Sequence, residues 1–222
     1  HNPDTLGPKQ HLQEIWNRSN FDSYLEPVIA NGSVYAVHDR NANGEYADLV
    51  KAYDEATGAF RWGFNVSTRD RRLAGSPVLY NDTVYLYATP SNYDNTGPRV
   101  VDASVFALDA RNGSVEWTYD TTLNYSSLSN DQEPVVANGT VYVAGGRVDE
   151  TDDVNASVLA IDAASGSTKW RYDVNEAGTD ETFRSVSVDN GTVVATLSDR
   201  GRSDTPDYDG LVAIDAAAGT HM

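Results

Sequence analysis

The chain has 222 residues, 16 Lys and Arg against 33 Asp and Glu, a formal charge of −17 and no cysteine. Without a thiol there is no disulfide and no thiolate nucleophile or metal ligand, and so negative a surface repels the phosphates of a nucleic acid. No run approaches the eighteen or so apolar residues of a membrane-crossing helix, and neither end reads as a signal peptide.

In chain order, the first predicted element is a strand over residues 12–18, which carries Trp16. Repeats follow over residues 21–65, 74–120, 132–173 and 183–219. Each repeat contains a first block: Pro27-Val-Ile-Ala-Asn-Gly-Ser-Val-Tyr35, Pro77-Val-Leu-Tyr-Asn-Asp-Thr-Val-Tyr85, Pro134-Val-Val-Ala-Asn-Gly-Thr-Val-Tyr142 and Ser185-Val-Ser-Val-Asp-Asn-Gly-Thr-Val193. A second block follows as Ala52-Tyr-Asp-Glu-Ala-Thr-Gly58, Ala107-Leu-Asp-Ala-Arg-Asn-Gly113, Ala160-Ile-Asp-Ala-Ala-Ser-Gly166 and Ala213-Ile-Asp-Ala-Ala-Ala-Gly219. The glycines that close it are 55, 53 and 53 residues apart, and Trp62, Trp117 and Trp170 stand four residues after the first three. Trp16 precedes Trp62 by 46 residues and so takes the same place in an earlier unit.

An Asn-Gly or Asn-Asp pair between runs rich in Val and Tyr predicts a tight hairpin. In the second block, Asp binds nearby backbone N–H groups and Gly takes a left-handed conformation, which predicts another short reversal. No stretch keeps a helical period over twelve residues. Each unit therefore reads as strand A, tight turn, strand B, longer loop, strand C, tight turn, strand D. Four-stranded antiparallel units of this length, repeated, predict an all-β fold, a β-propeller, in a single domain over residues 1–222. Two arrangements follow. Either four blades close a ring, with residues 12–18 supplying strand D of the last blade, or the chain is part of a larger propeller, as a monomer or as a dimer completing the ring.

The acidity is of one kind: 24 Asp against 9 Glu, with Lys only at Lys9, Lys51 and Lys169. This balance resembles proteins of salt-loving archaea, in which concentrated salt screens the repulsion among short carboxylates.

Few residues carry a catalytic pattern. His1, His11, His38 and His221 have no metal-ligand spacing, and no Gly-x-Ser-x-Gly or phosphate-cradling loop occurs. The repeated Asp54, Asp109, Asp162 and Asp215 read as turn caps. Asp39, Asn41, Asn43 and Asp48 place oxygen donors around a Gly bend, the beginning of a Ca²⁺ loop. A solvated acidic hairpin tip is the alternative.

The tight turns fall at one end of every predicted sheet and the long connections, 38–48, 66–75, 87–102, 121–132, 144–156, 174–182 and 197–210, at the other. Function on a rigid scaffold concentrates where loops vary. Those loops carry Arg69, Arg71, Arg72, Arg99, Arg147, Arg200 and Arg202 beside Tyr93, a composition suited to a recognition face or to internal ion pairs. Nine Asn-x-Ser/Thr sequons, five of them in repeat turns, add support for an extracellular or cell-surface protein.

Val-Tyr after an Asn-Gly turn, followed by Ala-Leu-Asp-Ala-x-x-Gly-x-x-x-Trp as in residues 107–117, resembles the pyrroloquinoline-quinone-type propeller repeat. The resemblance covers residues 12–219, and known members have seven or eight blades. It implies two functional classes. One is quinone-dependent alcohol and sugar dehydrogenases, which hold the cofactor on a tryptophan beneath a disulfide of adjacent cysteines, with Ca²⁺ ligands and a catalytic Asp. The other is non-catalytic propellers that bind partners. This chain has no Cys and its four Trp all fall at the repeat position. The expectation is a non-catalytic scaffold binding a protein or glycan through its long-loop face, with no catalytic or cofactor residues and Ca²⁺ as the one ion considered. A quinone-dependent dehydrogenase, or part of one, is the alternative.

Overall fold

The computed structural model describes residues 14–18, 25–40, 46–66, 71–90, 103–121, 123, 133–148, 154–174, 181–199 and 210–222. They form four antiparallel sheets in chain order. The first runs β1 (Val28–Ala30), β2 (Ser33–Arg40), β3 (Tyr46–Asp54), β4 (Phe60–Asn65). In the second, β5 (Arg71–Leu73) and β6 (Val78–Tyr80) both pair with β7 (Thr83–Pro90), which pairs with β8 (Ser104–Asp109) and then β9 (Val115–Asp120). The third runs β10 (Val135–Ala137), β11 (Thr140–Val148), β12 (Val154–Asp162), β13 (Thr168–Asp173). The fourth has β14 (Glu181–Asp189), β15 (Thr192–Asp199) and β16 (Gly210–Asp215). No helix occurs among the described residues, and no helix is long and apolar enough to cross a membrane.

The turns follow from local chemistry. Asn31, Asn138 and Asn190 have φ of 50°, 50° and 47°, and each hands on to a Gly with φ near 70–78°. Asn81 and Asp82 adopt the same pair of left-handed positions without a glycine, which Asn and Asp tolerate better than most side chains. The second block is capped as expected: Oδ1 of Asp54 accepts from Thr57 N at 2.9 Å, that of Asp109 from Arg111 N at 2.7 Å, that of Asp162 from Ser165 N at 3.0 Å and that of Asp215 from Ala217 N at 2.9 Å. Glu55 N donates to Gly32 O, Ala110 N to Asp82 O, Ala163 N to Gly139 O and Ala216 N to Gly191 O at 2.8–3.0 Å. The A–B and C–D turns therefore share one end of every sheet.

The core lies between successive sheets. Val37, Val50 and Phe64 of the first meet Leu86, Phe106 and Leu108 of the second, with the Phe64 and Phe106 rings 5.6 Å apart. Tyr85, Tyr87 and Val105 meet Val141, Val143 and Leu159 at the next junction, and Tyr142, Val158 and Ala160 meet Phe183, Val186 and Ile214 at the last. Full burial of each Val, Leu, Ile or Phe among them contributes about 1.5–3 kcal/mol.

Each junction is locked by an indole. Trp62 Nε1 donates to Ala110 O at 2.9 Å, Trp117 to Ala163 O at 3.0 Å and Trp170 to Ala216 O at 2.8 Å. In each case the acceptor lies in the C–D turn of the following sheet. Trp16 repeats the contact one unit earlier, donating to Glu55 O at 2.8 Å. The ring then covers the turn glycine: a Cβ on Gly113 would lie 2.5 Å from Trp62 Cε3, and one on Gly58 2.6 Å from Trp16 Cδ2. The glycine is fixed by this close approach as well as by its positive φ. Strand B supplies the backing ring, with Tyr35–Trp62, Tyr85–Trp117 and Tyr142–Trp170 centroids 5.9, 5.8 and 5.8 Å apart.

Three differences from the sequence reading are structural. Strands B and C run on into segments expected as loops: β11 and β12 stay paired out to Val148↔Val154, and β2 and β3 to Arg40↔Tyr46. Arg147 thus stands on β11, and Arg71 and Arg72 stand on β5. Residues 66–75 contain β5, which pairs with the far end of β7 and makes strand A of the second sheet a two-piece strand. Finally, residues 14–18 form no ladder with the last sheet. The place expected for them beside β16 begins to be filled by the chain's own continuation, since His221 bridges Ile214 and Met222 N donates to Ala213 O at 3.0 Å.

Candidate functional site

The long-connection end of the sheets is the expected recognition face. A belt of buried polar side chains lies beneath it: His38, Thr89, Ser104, Thr121, Ser157, Thr182 and Ser198 are all nearly inaccessible. Buried hydroxyls require partners, and the strand register provides several. Ser104 opposes Asp120, and its Oγ donates to Asp120 Oδ1 at 2.7 Å; Ser157 opposes Asp173 and donates to its Oδ1 at 2.5 Å. Arg71 Nε reaches Ser104 Oγ at 3.1 Å, and Arg171 Nε pairs with Asp173 Oδ1 at 2.7 Å. This end has a hydrogen-bonded floor.

Of the residues expected on that face, Arg71 is part-buried in the floor and Arg72 is exposed. Arg147 lies on β11, with its backbone opposite Asn155. Arg69, Tyr93, Arg99, Arg200 and Arg202 lie outside the described residues. So do Asn41 and Asn43, and of Asp39 only the backbone is described.

Asp48, the last of the Ca²⁺ candidates, joins two sheets. Its Oδ2 accepts from Leu73 N at 2.6 Å and its carbonyl from Val66 N at 2.9 Å. Burial raises the pKa of its carboxyl, while the Leu73 N–H and the Arg72 charge oppose the rise. Among the described residues no three His, Asp or Glu side chains gather as a metal cluster.

Sequence reasoning missed the pair beside it. Tyr53 Oη and His38 Nε2 are 2.9 Å apart in the core, and the Arg18 guanidinium sits 5.6 Å from the centre of the Tyr53 ring. Burial, reinforced by Lys51, lowers the His38 pKa to about 4. The imidazole is therefore neutral near pH 7. Both faces of β2 are buried from Ser33 to His38, so the sequence pattern gives no signal for the partner of His38, which is 15 residues away.

The indoles that a quinone platform would require are each held between sheets, with the N–H bonded to a neighbouring turn. With no cysteine in the chain, the residues present here do not fit the quinone cradle that the resemblance implies.

Comparison with known proteins places this geometry. A quinate/shikimate dehydrogenase (quinone) of Acinetobacter baylyi is 24% identical over 172 residues, covering 76% of this chain and 17% of its own length. The serine/threonine-protein kinase AfsK of Streptomyces griseus is 26% identical over 165 residues, covering 72% of this chain and 17% of its own length. The chain thus spans about a sixth of the curated relatives it matches. Among solved structures, the quinohemoprotein alcohol dehydrogenase ADHIIG of Pseudomonas putida superposes with a TM-score of 0.61 at 16% identity, over 88% of this chain and 33% of that one. The fold is that of a β-propeller. Residues 13–222 match the PQQ_2 family, described as outer membrane protein assembly factor BamB, and the chain belongs to that family.

Proposed function

We propose that this chain is a non-catalytic propeller scaffold that binds a protein or glycan partner through its long-connection face, outside the cytoplasm of a salt-adapted organism. The reading rests chiefly on one observation: all four indoles are engaged in locking one sheet to the next. A hydrogen-bonded floor of paired hydroxyls and carboxylates beneath variable loops is what a recognition surface needs, because pre-organisation lowers the entropic cost of binding. The family description, a membrane-protein assembly factor, supports interaction as the role. A match to a protein kinase shows that the repeat also occurs in proteins of other activities. Within this reading the chain is an arc of a larger propeller, and Asp39, Asn41, Asn43 and Asp48 are the residues that would hold Ca²⁺.

Quinone dehydrogenase activity is the second reading, carried by the names of several relatives. One experiment separates the two: pyrroloquinoline quinone is added with Ca²⁺, and indole fluorescence and dye-linked oxidation of alcohols and sugars are followed. The scaffold reading predicts neither quenching nor turnover. Stoichiometric quenching with substrate-dependent dye reduction would replace it.

A further inference from the structure

On the turn end, opposite the proposed recognition face, a cleft of about 550 Å³ opens between the second and third sheets. Tyr80, Thr83, Tyr85, Glu116, Gly139 and Asp162 line it. The internal repeats show what is unusual about it. In every complete sheet, strand D carries a bulge one residue before its tryptophan, at Arg61, Glu116 and Lys169. The bulged side chain reaches across strand C to the hydroxyl that begins strand B. In the first sheet Arg61 bonds Ser33 Oγ at 2.5 Å and Asp54 Oδ2 at 2.7 Å. In the third, Lys169 Nζ bonds Thr140 Oγ1 at 2.7 Å, with Asp162 Oδ2 at 3.4 Å. Each of these cations neutralises the Asp that caps its own C–D turn.

The second sheet reverses the sign. Glu116 stands in the cation's place, accepts from Thr83 Oγ1 at 3.0 Å, and faces the same end as the capping Asp109. Among the described residues no cation pairs with Glu116 or Asp109. Strand A differs here too: Tyr80 occupies the position of Ala30 and Ala137 and gives the cleft an aromatic wall. Its hydroxyl accepts from Gly139 N at 3.2 Å, while Tyr85 Oη donates to Ala163 O at 3.1 Å. Burial is the main cause that raises the pKa of the Tyr85 phenol, and the charges of Glu116 and Asp162 add to it. The walls are thus aromatic rings held by hydrogen bonds; Lys169 stands at the third-sheet side, bonded to Gly139 O at 3.1 Å and paired with Asp162, so Glu116 is the lining carboxylate that no cation among the described residues pairs with.

We propose that this cleft binds an organic cation, an ammonium or guanidinium carried on an aliphatic stem, whose charge takes the place that Arg61 and Lys169 fill in the neighbouring repeats. The carboxylate of Glu116 receives the charged head and the partly buried Tyr80 ring packs on the stem, while Tyr85, buried against Trp117, closes the floor. A free alkylamine and the side chain of a partner's lysine present the same chemistry.

The test is calorimetric titration of the folded chain at constant ionic strength with cadaverine, with an acetylated lysine amide, and with Ca²⁺. Glu116→Gln is expected to weaken amine binding about tenfold, the scale of a charge-assisted hydrogen bond. Glu116→Lys restores the repeat's own cation and is expected to abolish amine binding while raising the melting temperature. That rise separates occupancy of the site from failure to fold. Glu55→Gln, an exposed acid on the same end of the first sheet, is expected to bind as the parent does. Comparable binding of both amines assigns the site to the cationic head; preference for the lysine amide assigns it to a polypeptide partner. No binding by the folded parent, equal weakening by Glu116→Gln and Glu55→Gln, or tighter binding of Ca²⁺ than of amine would each overturn the proposal.

Discussion

Replacing Gly113 with alanine destabilises the chain by more than a left-handed backbone explains, and Gly32 supplies the control. The two glycines have φ of +73° and +70°, so the conformational cost of a Cβ is the same at both, about 1 kcal/mol. At Gly32 no heavy atom lies within 4 Å of the added carbon, whereas at Gly113 it meets Trp62 Cε3 at 2.5 Å and Cδ2 at 2.7 Å. A relaxed carbon contact needs about 3.5–4.0 Å. The indole must therefore retreat by about 1 Å, losing its 2.9 Å hydrogen bond to Ala110 O and part of its packing against Tyr35. The bond contributes about 0.5–1.5 kcal/mol, and the lost packing is of similar size. Gly113→Ala is thus expected to cost about 3 kcal/mol and Gly32→Ala about 1 kcal/mol. Urea denaturation of both variants at one salt concentration, read by tryptophan fluorescence and circular dichroism, gives the two values. Equal losses would show that the indole does not hold the turn and would refute the junction mechanism.

Other consequences are measurable. Asp48→Ala leaves Leu73 N without its acceptor between two sheets and is expected to cost about 1–3 kcal/mol in urea denaturation; an unchanged midpoint would remove Asp48 as a staple. The His38 pKa is lowered to about 4 in the folded chain, so below pH 6.5 the unfolded chain binds the extra proton and stability falls as pH drops from about 6.5 to 4. His38→Gln is expected to flatten that slope, and a parallel slope would contradict the burial argument. The Asp54 pKa is lowered to about 2, chiefly by the Thr57 hydroxyl and then by Arg61. Its contribution is therefore present above pH 4 and lost as pH falls toward 2, and its carboxyl carbon in an NMR titration is expected to titrate well below an unpaired Asp.

Much of the fold was legible because it rests on local chemistry repeated four times. Asn31, Asn81, Asn138 and Asn190 mark hairpins by tolerating positive φ, and the Gly-to-Trp spacing marks a ring lying on a turn of the next unit. Less legible were features set by partners distant in sequence. The segments 38–48 and 144–156 look like loops, yet their described residues, 38–40, 46–48, 144–148 and 154–156, belong to strands, because the facing strand satisfies their backbone. The Asp48–Leu73 bond and the His38–Tyr53 pair carry no periodic signal at all. Glu116 reads as an ordinary surface acid until the bulge at β9 shows that Arg61 and Lys169 occupy the same place.

The most direct measurement is hydrogen exchange of the four indole N–H groups, followed by two-dimensional ¹H–¹⁵N NMR on the folded chain. If each indole bridges to the next sheet, the Trp62, Trp117 and Trp170 protons exchange only through opening of the junctions, at rates that rise with denaturant. Exchange of all of them at the rate of free indole would show that these rings face water and that the sheets are held together by something else.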